Sequence, residues 1–151
     1  MMKKIAKPKT AIFSIKPHYA PLIFSGLKTV ELRRKAPRLL EQGSQILFWE
    51  SSPAKHLSGS ARVVKLAHLR INKLWGNISN LAGISRNEFD EYFEGAEMGV
   101  ALFLENPIEF DKKPKLPLLR QQIGFEPPQS FRYASIAELE YFERSQTIEL
   151  I

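Results

Sequence analysis

Nine consecutive residues, Gly26-Leu27-Lys28-Thr29-Val30-Glu31-Leu32-Arg33-Arg34, carry an amine, a hydroxyl, a carboxylate and two guanidiniums. Together they could do proton transfer, nucleophilic attack or phosphate binding. Val30 and Leu32 alternate with Thr29, Glu31 and Arg33, which predicts a strand sending the apolar pair to one side and the three polar groups to the other. Lys28 has two chemical readings. Burial beside another cation lowers its pKa and frees the amine, whereas pairing with Glu31 in one cleft keeps it charged, as a ligand for phosphate or a carbonyl. The plain alternative is an ion pair that only orients the strand. Arg33 shares the face of Glu31 and is placed to grip a phosphate, while Arg34 points the other way, to a solvated rim.

Further candidates lie elsewhere in the chain. Arg132, between Phe131 and Tyr133, is a cation with aromatic neighbours, suited to stacking a base and holding its backbone. Alternation puts the two aromatics on one face and Arg132 on the other, so core packing of Phe131 and Tyr133 competes with a binding role. Trp49 closes over a base or belongs to the core. If it is core, Glu50 on the opposite face is exposed and Ser52 offers a hydroxyl at a cleft rim. Lys16 and His18 add positive charge near the end of the first strand, or are solvated. Tyr92 and Phe93 are helix residues that pack inward.

The elements that must position these groups follow from pattern. Thr10 to Ile15 is a β-branched, aromatic strand, followed by a helix from Pro17 to Ser25 that Gly26 terminates. The motif strand covers Lys28 to Arg33, a loop Lys35 to Gly43, and a buried strand Gln45 to Glu50, before a turn at Ser51-Ser52-Pro53. A longer strand runs Gly59 to Leu69, and a helical region starts near Ile71. Ser85 and Glu88 have the spacing of a capping box, opening a helix that stops at Gly95. Met98 to Leu104 is a nearly continuous apolar run, expected as a central strand buried on both faces. Asn106 to Pro117 is expected as loop, and Gly124 to Gln129 as a stiff proline-rich lead into a Phe131 to Tyr133 strand. Ser135 and Glu138 form a second capping box at the head of a C-terminal helix. These elements predict an α+β chain of 151 residues: a small mixed barrel of about five or six strands with helices outside, in one domain over 1–151, with a basic tail over 1–9 and a C-terminal tail over 144–151.

Composition narrows the function classes. There is no cysteine, which removes disulfides, thiolate metal sites and cysteine nucleophiles, and suits a reducing, cytoplasmic setting. The three histidines are scattered, so no metal or other cofactor is expected. No apolar run approaches the ~20 residues of a membrane span. A net charge of +6 favours a polyanionic partner.

Five ordered segments carry a resemblance to a known family. They are Ser14-Ile15-Lys16-Pro17-His18-Tyr19-Ala20, the Gly26-x-Lys28-Thr29-x-Glu31-x-Arg33 core, Trp49-Glu50-Ser51-Ser52-Pro53, Tyr92-Phe93-Glu94-Gly95, and Pro127-Pro128-Gln129-Ser130-Phe131-Arg132-Tyr133. In these the chain resembles the ASCH domains of the PUA-like fold, a superfamily that includes YTH and EVE modules. The resemblance implies a barrel with a cleft between strands and flanking helices, lined by the Gly-x-Lys-Thr segment. It also implies a partner that is RNA, a nucleotide or a modified nucleoside, and a role in RNA metabolism or in regulating transcription or translation. Ligand contacts are then expected from Lys16, Lys28, Thr29, Glu31, Arg33, Trp49, Ser52, Arg132 and Tyr133. One enzymatic branch of the family removes an acetyl group from the exocyclic amine of cytidine with the motif lysine, a threonine two residues after the motif threonine, and a distant glutamate. Lys28 matches that lysine, but Glu31 stands where the threonine would be. The enzyme alternative to a binding module is therefore a metal-independent hydrolase, an acylcytidine amidohydrolase or a ribonuclease, with Lys28, Thr29 and Glu31 catalytic. A third alternative is a regulator that recruits a protein through the aromatic C-terminal half.

Overall fold

The computed structural model describes residues 7–146. Of the two expected tails, positions 1–6 and 147–151 lie outside the described residues; Lys7 to Lys9 are exposed coil, and Arg144 and Ser145 still belong to the last helix. In chain order the elements are β1 (Thr10–Ile15), α1 (Ala20–Phe24), β2 (Val30–Arg33), β3 (Gln45–Glu50), β4 (His56–Arg70), α2 (Ile71–Ile78), α3 (Arg86–Tyr92), β5 (Met98–Glu109), α4 (Leu116–Ile123), β6 (Phe131–Tyr133) and α5 (Ile136–Ser145). The six strands form one mixed sheet in the order β2-β5-β4-β3-β1-β6, in which only β1 and β3 run parallel. It is a half-barrel with flanking helices, the α+β architecture expected from the sequence.

Period-two patterning decides which side chains go in and which go out. Ala11, Phe13 and Ile15 of β1, Ile46 and Phe48 of β3, and Ala61 and Val63 of β4 converge inside the half-barrel, and Ala20 and Ile23 of α1 fill it from the open side. The alternate residues Ile12, Leu47 and Trp49 face outward, beneath Leu116 and Leu119 of α4, Phe142 of α5, and Phe125 from the segment between those helices. Val30 and Leu32 of β2 and Ala101 of β5 face outward in turn, under Leu74 and Ile78 of α2, Phe89 of α3 and Phe93 just after it. Strands covered on both sides explain why QILFWE is buried at every position and why the start of β5 reads as an apolar run.

Several element boundaries differ from the sequence reading. The first helix begins at Ala20, not Pro17, because Pro21 has no N–H and its ring would clash with the carbonyl of residue 17; it is tolerated only in the first turn, where it sits. The segment expected as loop from Asn106 onward continues β5 to Glu109, with Asn106 and Pro107 placed where the β4–β5 register shifts between Ser60 and Arg62, so that the proline sits at a bulge. Pro117, taken as loop, occupies the first turn of α4, and Gly124 closes that helix in the left-handed region at φ 62°. Glu50 is buried rather than exposed, because His56 across the hairpin brings its Nε2 to 3.1 Å from the carboxylate. Both capping boxes form as read.

Arg132 serves the fold. Its guanidinium makes two 2.7 Å bonds to the Glu138 carboxylate, donates to the Glu126 carbonyl, and lies 5.2 Å over the Phe125 ring. Burial alone would raise the Glu138 pKa, but bonds from Arg132 and the Ser135 N–H outweigh it and hold the carboxyl below its usual value. Arg132→Met should therefore cost about 2 kcal/mol at neutral pH, less than a fully buried pair because Arg132 is 34% exposed. A carboxyl with a depressed folded pKa contributes stability above its unfolded value of 4.5 and loses it as pH falls further. Urea unfolding should accordingly show the two proteins converging below that pH.

Candidate functional site

A cleft of about 410 Å³ opens between the mouth of the half-barrel and helix α3. Its floor is Lys28, Glu31 and Arg33 from the motif; one wall is Ser14, Lys16 and Tyr19 at the junction of β1 and α1, and the other is Ile84, Glu88, Glu91 and Tyr92 of α3 and its approach. Alternation along β2 aims Glu31 and Arg33 inward as Val30 and Leu32 anchor the strand under α2 and α3.

Lys28 reaches the same floor by another route. It precedes the strand, its N–H donating to the Leu22 carbonyl, while Thr29 and Val30 both donate to the Leu81 carbonyl. Its side chain is 3% exposed, donates to the carbonyls of Val30 (3.1 Å) and Ala82, and places Nζ 5.2 Å from the centre of the Tyr19 ring. Gly83 is pressed against it. At φ 63° a Cβ there would be strained and would sit 3.0 Å from the Lys28 Cβ. Burial pushes the ammonium pKa down; Glu31 opposes this and Arg33 adds to it, with burial prevailing.

Glu31 takes Arg33, not Lys28, as its ion-pair partner, with Arg33 Nε 3.6 Å from Oε1. Its other oxygen, Oε2, is buried and accepts no hydrogen bond. Arg33 is committed across the mouth: it donates to the Ser14 carbonyl at 2.7 Å and to the carbonyl and hydroxyl of Ser130 at 3.3 and 3.2 Å, with its guanidinium 4.8 Å over the Phe13 ring. It thereby ties the β2 edge of the sheet to β1 and the approach to β6. The Tyr19 hydroxyl donates to Glu88 at 2.7 Å; burial first, then this bond, raises the phenol pKa. Glu88 is held low by the same bond and by the Ser85 N–H. The capping-box glutamate of α3 thus also pins α1 to α3.

Of the residues singled out in the sequence, Lys16, Lys28, Glu31 and Arg33 line the cleft, whereas Thr29, Trp49, Ser52, Arg132 and Tyr133 do not. Trp49 is buried against Phe125, with ring centres 5.1 Å apart. Ser52 is on the exposed hairpin turn, and the Tyr133 hydroxyl accepts from the Leu39 N–H. Arg34 lies exposed at the rim, donating to the carbonyls of Tyr92 and Glu94. Sequence reasoning did not assign Tyr19, Glu88, Glu91 or Tyr92 to the site. No pattern near Glu88 or Tyr92 marked the α3 wall: the capping box announces only a helix start, and Tyr92, expected to pack inward, is instead 42% exposed at the cleft. Among the described residues no three histidine or carboxylate side chains converge as a metal-holding group, and no helix is long and apolar enough to cross a membrane.

This half-barrel with a helix-walled cleft defines an ASCH-type domain. It matches the crystal structure of ASCH from Zymomonas mobilis with a TM-score of 0.85 at 29% identity, over 93% of this chain and 97% of that one. A protein of Zymomonas mobilis named an ASCH domain-containing ribonuclease is 32% identical over 137 residues, 87% of this chain and 88% of that protein. The model of a family described as "Domain of unknown function (DUF365)" matches residues 8–123. The chain belongs to the ASCH family, and to the family that this model describes. The N-terminal domain of Staphylothermus marinus McrB shares the fold at 14% identity, with a TM-score of 0.54.

Proposed function

We propose that this protein acts on single-stranded RNA in the cytoplasm, seating one nucleotide in the cleft and cleaving the strand beside it. The observation that carries this reading is Lys28, an amine 3% exposed and of lowered pKa on the floor of a cleft of about 410 Å³, within the size range of sites for small ligands. The ribonuclease name of the 32% identical relative supports the choice of RNA.

RNA carries its own nucleophile, the 2′-hydroxyl. With two N–H bonds directed to the Val30 and Ala82 carbonyls, the neutral Lys28 amine keeps a lone pair that takes the 2′ proton. The 2′ oxygen bonds to the adjacent phosphorus, the bond to the 5′ oxygen breaks, and that oxygen leaves with a proton from solvent at the cleft mouth. The products are a 2′,3′-cyclic phosphate and a 5′-hydroxyl. Lys16, exposed on the wall of the cleft, faces the charge that builds on phosphorus.

Incubating end-labelled single-stranded RNA and DNA of one sequence with the protein tests this. Cleavage of the RNA alone, leaving cyclic phosphate ends, is expected. An intact RNA, or DNA cut equally well, sinks the reading, and turnover of free acylated cytidines in place of RNA would give the site to an amidohydrolase.

A further inference from the structure

The group left waiting in the cleft is an acceptor. Glu31 Oε2 is buried without a hydrogen bond on a side chain 10% exposed, although native structures rarely leave a buried carboxylate oxygen unpaired. The donors around it are all directed elsewhere: Lys28 to two backbone carbonyls, the terminal nitrogens of Arg33 to Ser14 and Ser130, and the Tyr19 hydroxyl to Glu88. The wall opposite Lys16 offers further acceptors in Glu88 and Glu91, so that with the Lys28 amine neutral three acids face the two cations Lys16 and Arg33, in a protein of net charge +6. A phosphate on the floor would meet these carboxylates at close range. What fits is an uncharged group that brings an N–H.

We infer that Glu31 selects the nucleobase, and that the cleft takes a base with an exocyclic amine (cytosine, adenine or guanine) in preference to uracil. This rests on the RNA reading above and deepens it. An ionised carboxylate only accepts. At the position where cytosine and adenine present an amine N–H, uracil presents the O4 lone pairs; its one donor, N3–H, lies between O2 and O4, so a carboxylate that reaches it sets its second oxygen against a carbonyl oxygen. The phosphate flanking the seated base then lies toward Lys16, and the sugar between them, beside Lys28.

Short 2′-deoxy homopolymers lack the nucleophile and bind without being cut, so fluorescence anisotropy with the cytidine, adenosine and uridine forms reads selection alone. The whole protein should bind the cytidine and adenosine strands about tenfold or more tighter than the uridine strand. In Glu31→Gln the carboxamide donates as well as accepts, so uridine binding should strengthen and the preference shrink to about twofold or less. Equal affinities in the unaltered protein, or a preference that survives Glu31→Gln, would overturn the assignment while leaving RNA as the substrate. If none of the strands bound and RNA stayed intact, the inference and the function it rests on would fall together.

Discussion

Lys28→Met should abolish RNA cleavage while leaving the fold intact, with a loss of about 100-fold or more, the scale of a positioned proton-transfer group. Methionine fills nearly the same volume and removes the cost of burying the amine, offset by leaving the Val30 and Ala82 carbonyls without a donor. Stability at pH 7 should stay within about 1 kcal/mol of the unaltered protein. The pH dependence separates this from a generic packing effect. Burial lowers the folded pKa of Lys28 below its ordinary 10.5, so between those two values the unfolded chain holds a proton that the folded one lacks. Unfolding free energy then rises with pH across that window. The unaltered protein should gain stability relative to Lys28→Met as pH rises from 7 toward 10, measured by urea unfolding at each pH. A constant difference would mean that Lys28 is charged throughout, and would remove its amine as a base.

How much of this site could be read from the chain depends on how local each contact is. Glu31 and Arg33 were legible because both lie in a regular strand, where alternation fixes the facing of side chains and Val30 and Leu32 announce the anchored side. The same rule misled at Thr29, which precedes Val30 and obeys the turn rather than the strand. Lys28, at a position where strand periodicity would have opposed it to Glu31, curls back to the same floor because the Ala82 carbonyl and Gly83 hold it there. That contact spans 54 residues, and no pattern near Lys28 reports it. Arg132 illustrates the converse. Its aromatic neighbours suggested a base platform, yet the partner that commits it, Glu138, was already visible as a capping-box residue six positions later, on the helix that follows. Proline was the other source of error. Pro21, Pro107 and Pro117 each sit where a missing N–H costs nothing, two in first helical turns and one at a bulge, and only the surrounding pairing distinguishes those positions from loop.

Gly59→Ala should be the most damaging small substitution in the barrel, costing more than about 4 kcal/mol and leaving little folded protein at physiological temperature. Gly59 pairs with Phe48 on β3 and with Glu109 on β5, beside the register shift that bends β4. A Cβ at this position would stand 2.2 Å from the Ile108 carbonyl oxygen and 2.5 Å from two atoms of the Phe24 ring. The ring belongs to the helix that fills the open side of the half-barrel, where it meets Phe48 edge-on at 6.2 Å. The carbonyl cannot move without breaking the β4–β5 ladder, and the ring cannot move without lifting α1, so neither neighbour offers a cheap escape. The consequence reaches the cleft, because Tyr19 caps α1 and Lys28 follows directly from the turn after it. Shortening Phe24 in the same chain separates the two obstacles. Gly59→Ala with Phe24→Leu removes the ring contact but not the 2.2 Å clash with the carbonyl, so thermal unfolding should show only partial recovery. Full recovery would mean that the ring alone demands glycine and that the β4–β5 ladder yields more readily than its geometry implies.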